Sequence, residues 1–282
     1  NARGPGDGPA VVYRVSGMIP RTVEAVMQEA RTLWLLRDVP SVVDLVEVLL
    51  EPGGQRVVLV MQALQGGTLT QWMSSKKGGL TEVEAQAAAR RALEALASLH
   101  GTHHQLAHHS LSLDHLVLHT PGRADSVNLI DFAPSTPRDD GERGCRGFPA
   151  PEVAAQHANA VNLQAGNMWT FGAMLMEMLP FRDEFVLAAL SAPPWMDPSC
   201  ALCPRNKNEL TDPRASAIWY QSAQAWLDKQ LQPVLSAMRT KGVRKDATDL
   251  LTKLLTVDPV SRYTAKQALA HPWFKAKYKL PR

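Results

Sequence analysis

The chain has 282 residues and a formal net charge of +3, with 45% hydrophobic and 20% charged residues. That is the make-up of an ordinary globular protein, long enough to bury a core as one large domain or two packed lobes. Scattered basic residues and so small a charge exclude a nucleic-acid binder that works by bulk electrostatics, and no run approaches the ~18 apolar residues of a membrane span.

The chain starts at Asn1 with neither an initiator methionine nor a signal peptide, as expected of a processed or trimmed form. Asn1–Pro9 carries Gly4, Gly6 and Gly8 and reads as a flexible lead. Ala10–Val15 is a short β-branched strand. Pro20–Leu36 has helical periodicity, with Val23, Val26, Met27, Ala30, Leu33 and Leu36 near one face. Val42–Leu50 and Gln55–Gln62 follow as two strands joined by Glu51-Pro52-Gly53-Gly54, a good hairpin turn.

Thr81–His100 is an alanine-rich packing helix with Leu93, Leu96 and Leu99. Beyond it, Leu116–Leu118 and Val127–Ile130 form two strand-like runs around the turn signal Pro121-Gly122. His103, His104, His108, His109, His115 and His119 crowd this stretch and invite a metal reading, since zinc sites want ligands at helix or knuckle spacing with satisfied second shells; pH sensitivity near neutrality is the expectation instead. Pro193-Pro194-Trp195 and Asp197–Pro204 form a loop, and a helix runs from about Ala215 to Met238. Cys200 and Cys203 have C-x-x-C spacing with only Cys145 elsewhere. Four thiolates cannot be gathered, so the pair is either two loop thiols or a local disulfide, the latter favoured in an oxidising compartment.

Several ordered motifs resemble those of protein kinases. His108-His109-Ser110-Leu111-Ser112-Leu113-Asp114-His115 follows the catalytic-loop pattern H-R-D-L-x-x-x-N, and Asp131-Phe132-Ala133 keeps two residues of D-F-G. Pro149-Ala150-Pro151-Glu152 resembles the A-P-E close of an activation segment. Asn167-Met168-Trp169-Thr170-Phe171-Gly172 resembles the D-x-W-S-x-G start of a buried central helix, and Ala247–Phe274 resembles the last two helices of Ser/Thr kinases. The resemblance implies an α+β, bilobal kinase-like fold: a reduced β small lobe over residues 1–64, lacking the Gly-rich loop, and a mainly helical large lobe over residues 65–282. Gln65-Gly66-Gly67-Thr68-Leu69 resembles the hinge between them.

Carried over by position, Arg14 stands for the phosphate-gripping lysine with Glu29 as its partner, and Met61 falls at the gatekeeper. Arg14 is bulkier than lysine, and Val12 crowds the adenine slot. Ser110 replaces the catalytic aspartate that accepts the substrate proton, a loss worth roughly 10²–10⁴-fold or more. His115 replaces a metal-binding asparagine, although hard Mg²⁺ prefers oxygen. Asp131 alone could hold one ion weakly. His109 replaces the arginine that reads a phosphorylated loop, which argues against loop phosphorylation as a switch.

Structural family residues are kept: Glu152 with Arg262 as an ion pair, and Leu33, Leu45, His108 and Phe132 as an apolar spine anchored at Asn167. The implied function is that of a pseudokinase without catalytic residues, bound cofactor or metal, acting as a scaffold or allosteric regulator of other proteins; a divergent kinase is the alternative. The missing loop and the altered Ser110 and His115 positions resemble the secreted coccidian-parasite kinases that lack a Gly-rich loop. That narrower resemblance implies secretion to a parasitophorous vacuole or cyst wall, with cytoplasmic residence as the alternative.

Overall fold

Four elements build the small lobe in the computed structural model: strand β1 (Ala10–Arg14), helix α1 (Val23–Leu35), strand β2 (Leu45–Leu50) and strand β3 (Val57–Gln62). The structure describes residues 10–14 (backbone only), 23–50, 57–102, 106–132, 148–154, 162–181, 190, 193–194 and 212–275. The Gly4–Gly8 lead, the Glu51–Gly54 turn, His103, His104 and all three cysteines lie outside these residues.

β3 is the middle of an antiparallel sheet of order β1-β3-β2, with Ala10 opposite Gln62 and Leu50 opposite Val57. Its first four residues, Val57–Val60, are all buried. They form the continuous apolar run that a strand covered on both faces requires. α1 repeats Val26, Ala30 and Leu33 at helical spacing. Val26 and Ala30 pack on Val57 and Leu59, while Leu33 and Leu36 reach into the main core below.

The structure shortens the expected Val42–Leu50 strand. Val42 instead makes a parallel bridge to Leu129, with Leu129 N–H donating to Ser41 O at 2.8 Å and Val43 N–H to Leu129 O at 3.2 Å. The Asn128 side chain adds donations to Pro40 O and Val42 O at 3.1 and 3.0 Å. These residues are drawn out of the small sheet because a large-lobe strand supplies their backbone partners.

The linker is held just as closely. Gly66 N–H donates to Leu118 O at 2.8 Å and Leu118 N–H to Gly67 O at 3.0 Å. A Cβ on Gly66 would sit 2.5 Å from Leu118 Cβ, so the approach needs glycine.

Helix α2 (Leu69–Ser75), unanticipated from the sequence, starts in a capping box in which Thr68 Oγ1 accepts from Gln71 N–H and Gln71 Oε1 accepts from Thr68 N–H. Helix α3 (Glu82–His100) is capped the same way by Thr81 and Glu84. Its alanines Ala85, Ala88, Ala89, Ala92 and Ala95 are fully buried and let neighbouring elements come close. Strands β4 (Leu116–Leu118) and β5 (Val127–Leu129) pair antiparallel around the Pro121–Gly122 turn, where Gly122 has φ 74°.

After the short helix α4 (Pro151–Ala154), helix α5 (Leu163–Met178) is apolar on all sides and buried nearly throughout. Helix α6 (Pro213–Thr240) starts where Asp212 Oδ1 accepts from Arg214 and Ala215 N–H and Pro213 occupies the first turn. The tail forms α7 (Lys245–Leu254), α8 (Ala265–Leu269) and α9 (Pro272–Lys275), three helices where two were expected. Pro272 cannot continue α8, so the chain restarts with proline in the first turn of α9. Among the described residues no helix is long and apolar enough to cross a membrane.

Candidate functional site

The cleft floor is built from the loop that ends at His115 and from the residues that leave β5. His108 is its buried anchor, 1% exposed. The Asn167 carboxamide, on the first turns of α5, accepts from His108 N–H at 2.8 Å and donates to His108 O at 2.7 Å. A carboxylate in that place could not make the second bond. The same Asn167 Oδ1 receives His100 Nε2 at 3.1 Å, a contact between helices that no sequence pattern announces.

The His108 ring donates from Nε2 to Ile130 O at 2.9 Å and stands edge-on to Phe132 with centroids 5.2 Å apart. Burial pushes its pKa down to about 4, so the ring is neutral near pH 7. Burial also lowers the pKa values of His109 and, against the Asn167 hydrogen bond, His100. Leu33 and Phe132 are buried in the main core and Leu45 packs against it.

Above that anchor the polar residues converge. Asp131 has φ 61°, a left-handed conformation uncommon outside glycine. Its Oδ2 accepts from Ser110 Oγ–H at 3.0 Å and lies 3.5 Å from His115 Nε2. On the other side of the His115 ring, Nδ1 faces Ser110 O in a very short contact and Ser112 Oγ at 3.3 Å. Ser110, His115 and Asp131 therefore form one cluster, and the side chains of His115 and Asp131 are about a quarter exposed, at 27% and 23%.

The candidate small-lobe residues lie on β1, α1 and β3. Met61 lies on β3 opposite Val11 and Leu45 and is partly buried. Glu29 is buried on α1, 3% exposed. Arg14 is placed at the end of β1 opposite Val58; its side chain, and so the expected pair with Glu29, lies outside the description, as does the side chain of Val12.

Farther down, Glu152 and Arg262 meet as expected. The guanidinium donates to Glu152 Oε1 and Oε2 at 2.8 and 2.9 Å, with both side chains essentially inaccessible. Arg262 also donates to the carbonyls of Ala165, Thr256 and Val257 at 2.7–2.9 Å, so the charge is paired and fully hydrogen-bonded.

In chemical terms the described cluster brings together the Asp131 carboxylate, the His115 imidazole and the Ser110 and Ser112 hydroxyls. Mg²⁺ demands oxygen ligands in near-ideal octahedral geometry, and Asp131 with His115 does not provide them. Nor does Ser110 provide a carboxylate to accept a proton. The donor set does not fit the metal–nucleotide pair of a working kinase.

Comparison with known proteins places this arrangement. The protein kinase domain profile matches residues 14–274. The chain is 27% identical over 263 residues to the human serine/threonine-protein kinase H1, covering 89% of this chain and 51% of that protein. It is 26% identical over 258 residues to calcium/calmodulin-dependent protein kinase type 1 of Macrobrachium nipponense, covering 89% and 62%. The twitchin kinase region from C. elegans superposes with a TM-score of 0.57 at 23% identity, covering 92% of this chain and 39% of that one. The chain thus spans about half the length of the curated relatives it matches.

Proposed function

The chain belongs to the protein kinase family, and from that premise we propose that it is a pseudokinase, acting as a non-catalytic scaffold or allosteric regulator of other proteins. The observation that carries this reading is the Ser110 hydroxyl donating to Asp131 Oδ2 at 3.0 Å. At the position of the catalytic base stands a group that cannot accept the substrate proton near pH 7, and it engages the carboxylate that a kinase reserves for metal. Architecture retained around altered chemistry supports a domain kept for its surface. Nucleotide affinity is expected to be weak or nil, from the Arg14 and Val12 substitutions.

The test is incubation with labelled ATP, Mg²⁺ or Mn²⁺ and generic protein substrates. No incorporation is expected. Incorporation that disappears in Asp131→Ala would overturn the reading. The competing function, a divergent kinase working without a Gly-rich loop, draws support from the retained Asp131, from buried Glu29 and from relatives that are named as kinases.

The resemblance to the secreted coccidian-parasite kinases, and among them to the bradyzoite pseudokinase, supports export to a parasitophorous vacuole or cyst wall. Immunolocalisation of the tagged protein distinguishes this from cytoplasmic residence.

A further inference from the structure

Among the described residues, the exposed large apolar side chains gather in one place. Trp34 and Leu35 end α1, and Val46, Leu49 and Leu50 follow on β2, all 43–63% exposed. The others, Leu163, Ile218 and Val260, lie singly on the large lobe, as on any protein surface. The five together present on the order of 500 Å² of apolar surface, near the upper end of the largest patch on a typical monomer. Patches of that size mark sites of interaction.

The setting of the patch is a free sheet edge. β2 is the outer strand of the order β1-β3-β2, and its far side has no ladder partner among the described residues. Beside that edge, Ala30, Trp34 and Leu35 of α1 and Leu45 and Val48 of β2 line an apolar groove of about 420 Å³. Arg37 stacks over the Trp34 ring at 4.8 Å and donates to Trp34 O at 2.9 Å. The indole is thereby held in place, which lowers the entropy lost when it is buried in a contact.

Self-complementarity identifies the occupant. An antiparallel edge can pair with its own copy across a two-fold axis, the commonest symmetry of homo-oligomers, and directly opposite residues then share a face of the sheet. Val48 packs on the α1 side; by alternation Leu50 shares its face, while Glu47 and Leu49 point to the other. In the register that sets Leu49 opposite its own copy, Val48 meets Leu50 of the second chain, apolar against apolar. The two Glu47 carboxylates then stand about 14 Å apart, beyond a Debye length at physiological salt. The exposed charges of α1 and its end balance, Glu24 and Asp38 against Arg31 and Arg37. A balanced rim suits a copy of itself better than a strongly charged partner.

Area agrees with this occupant. A specific interface takes about 800 Å² from each partner, of which about 65% is apolar in homodimers. The five side chains supply that apolar share, and the charged rim supplies the rest. The bulge between Leu45 and Glu47 interrupts the ladder, so regular pairing is confined to the end of β2 and side chains hold most of the contact.

We infer that β2 joins the β2 of a second copy across a two-fold axis, forming a reversible homodimer sealed by Trp34, Leu35 and Leu50. This goes beyond the pseudokinase reading and stands whether or not the chain transfers phosphate.

The experiment is sedimentation velocity of the full chain over a concentration series, with circular dichroism to confirm that each variant is folded. The mass is expected to climb from 30.9 kDa toward twice that value. Trp34→Ala is expected to weaken the dimer about tenfold or more, and Leu50→Lys to abolish it. Ile218→Lys, equally exposed but on α6, is expected to leave it intact. Leu49→Cys is expected to form an intermolecular disulfide on mild oxidation, beyond any formed by the unaltered chain with its own three cysteines. A chain that stays monomeric at every concentration overturns the inference and leaves the groove to a different partner. A dimer that survives both Trp34→Ala and Leu50→Lys overturns it by placing the contact elsewhere. Failure of Leu49→Cys to cross-link overturns the strand pairing. Phosphate incorporation is read in a separate assay, so this inference and the pseudokinase reading fail independently.

Discussion

Two carboxylates in this molecule sit in the same large lobe and have opposite surroundings. Glu152 is sealed, gripped at both oxygens by a guanidinium that also satisfies three backbone carbonyls. Asp131 is partly open to solvent and shares one oxygen between a hydroxyl and an imidazole. The first arrangement stabilises the fold; the second forms the candidate site, where residue types depart from the kinase pattern that the chain otherwise resembles. A buried charge whose partner is lost is heavily penalised, which restricts change at Glu152. A solvated one can exchange its neighbours at small cost, so chemistry is free to drift where the fold is not.

The contrast is broken most directly at the sealed pair. Glu152→Ala leaves the Arg262 charge buried with only carbonyls for company, and the expected loss is about 3–5 kcal/mol. Urea denaturation of the purified variant checks it. A midpoint equal to that of the unaltered chain would show that the two regions do not differ in kind.

Acid separates the regions next. The folded pKa of His108 lies near 4, below its ordinary value of 6.5, so between those values the unfolded chain binds the extra proton. Stability is therefore complete above about pH 6.5 and falls as the pH drops toward 4. The gap is worth about 3 kcal/mol in all, of which about 2 kcal/mol is gone by pH 5. His100 and His109, also depressed, push in the same direction. Denaturation midpoints at pH 7.5 and pH 5 measure the loss, and a flat profile would mean that the anchor is solvated.

The frame of the cleft should respond more mildly. In Gly66→Ala the new methyl meets both the Leu118 side chain and its backbone oxygen, at 2.5 and 2.8 Å. Relieving that contact means moving the linker away from β4, at about 1–3 kcal/mol. Thermal unfolding reads it.

How much of this was legible in the sequence follows the same division. Elements specified by local chemistry could be read directly: the alanine-rich Thr81–His100 helix, the Pro121–Gly122 turn, the continuous apolar run of Val57–Met61. So could Glu152 and Arg262, because motif position implied their pairing across the fold. The Thr68–Gln71 capping box carries the signal for α2, inside a stretch that also resembles a hinge. Other features have no local signal at all. Val42 and Val43 suit a strand in any sheet, and only the nearness of β5 decides that Leu129 takes them. His100 reads as the last turn of a helix until α5 brings Asn167 to it. At the cleft, residue types announced the loss of a base, but the rotation of the His115 ring depends on where the Ser110 carbonyl points, which is a property of the folded loop.

The smallest expected effect is the most informative about the open site. Ser110→Ala removes the hydroxyl from Asp131 Oδ2 and leaves the His115 contact with the Ser110 backbone untouched. A hydrogen bond to a charged group is worth about 1.5–3 kcal/mol when both partners are sheltered. Here the carboxylate is about a quarter exposed, and water can replace the lost donor. The expected change in stability is therefore below about 1 kcal/mol, several-fold less than at Glu152. A loss as large as that of Glu152→Ala, measured under the same denaturation conditions, would mean that the cleft hydroxyl is structural after all, and the contrast between the two carboxylates would collapse.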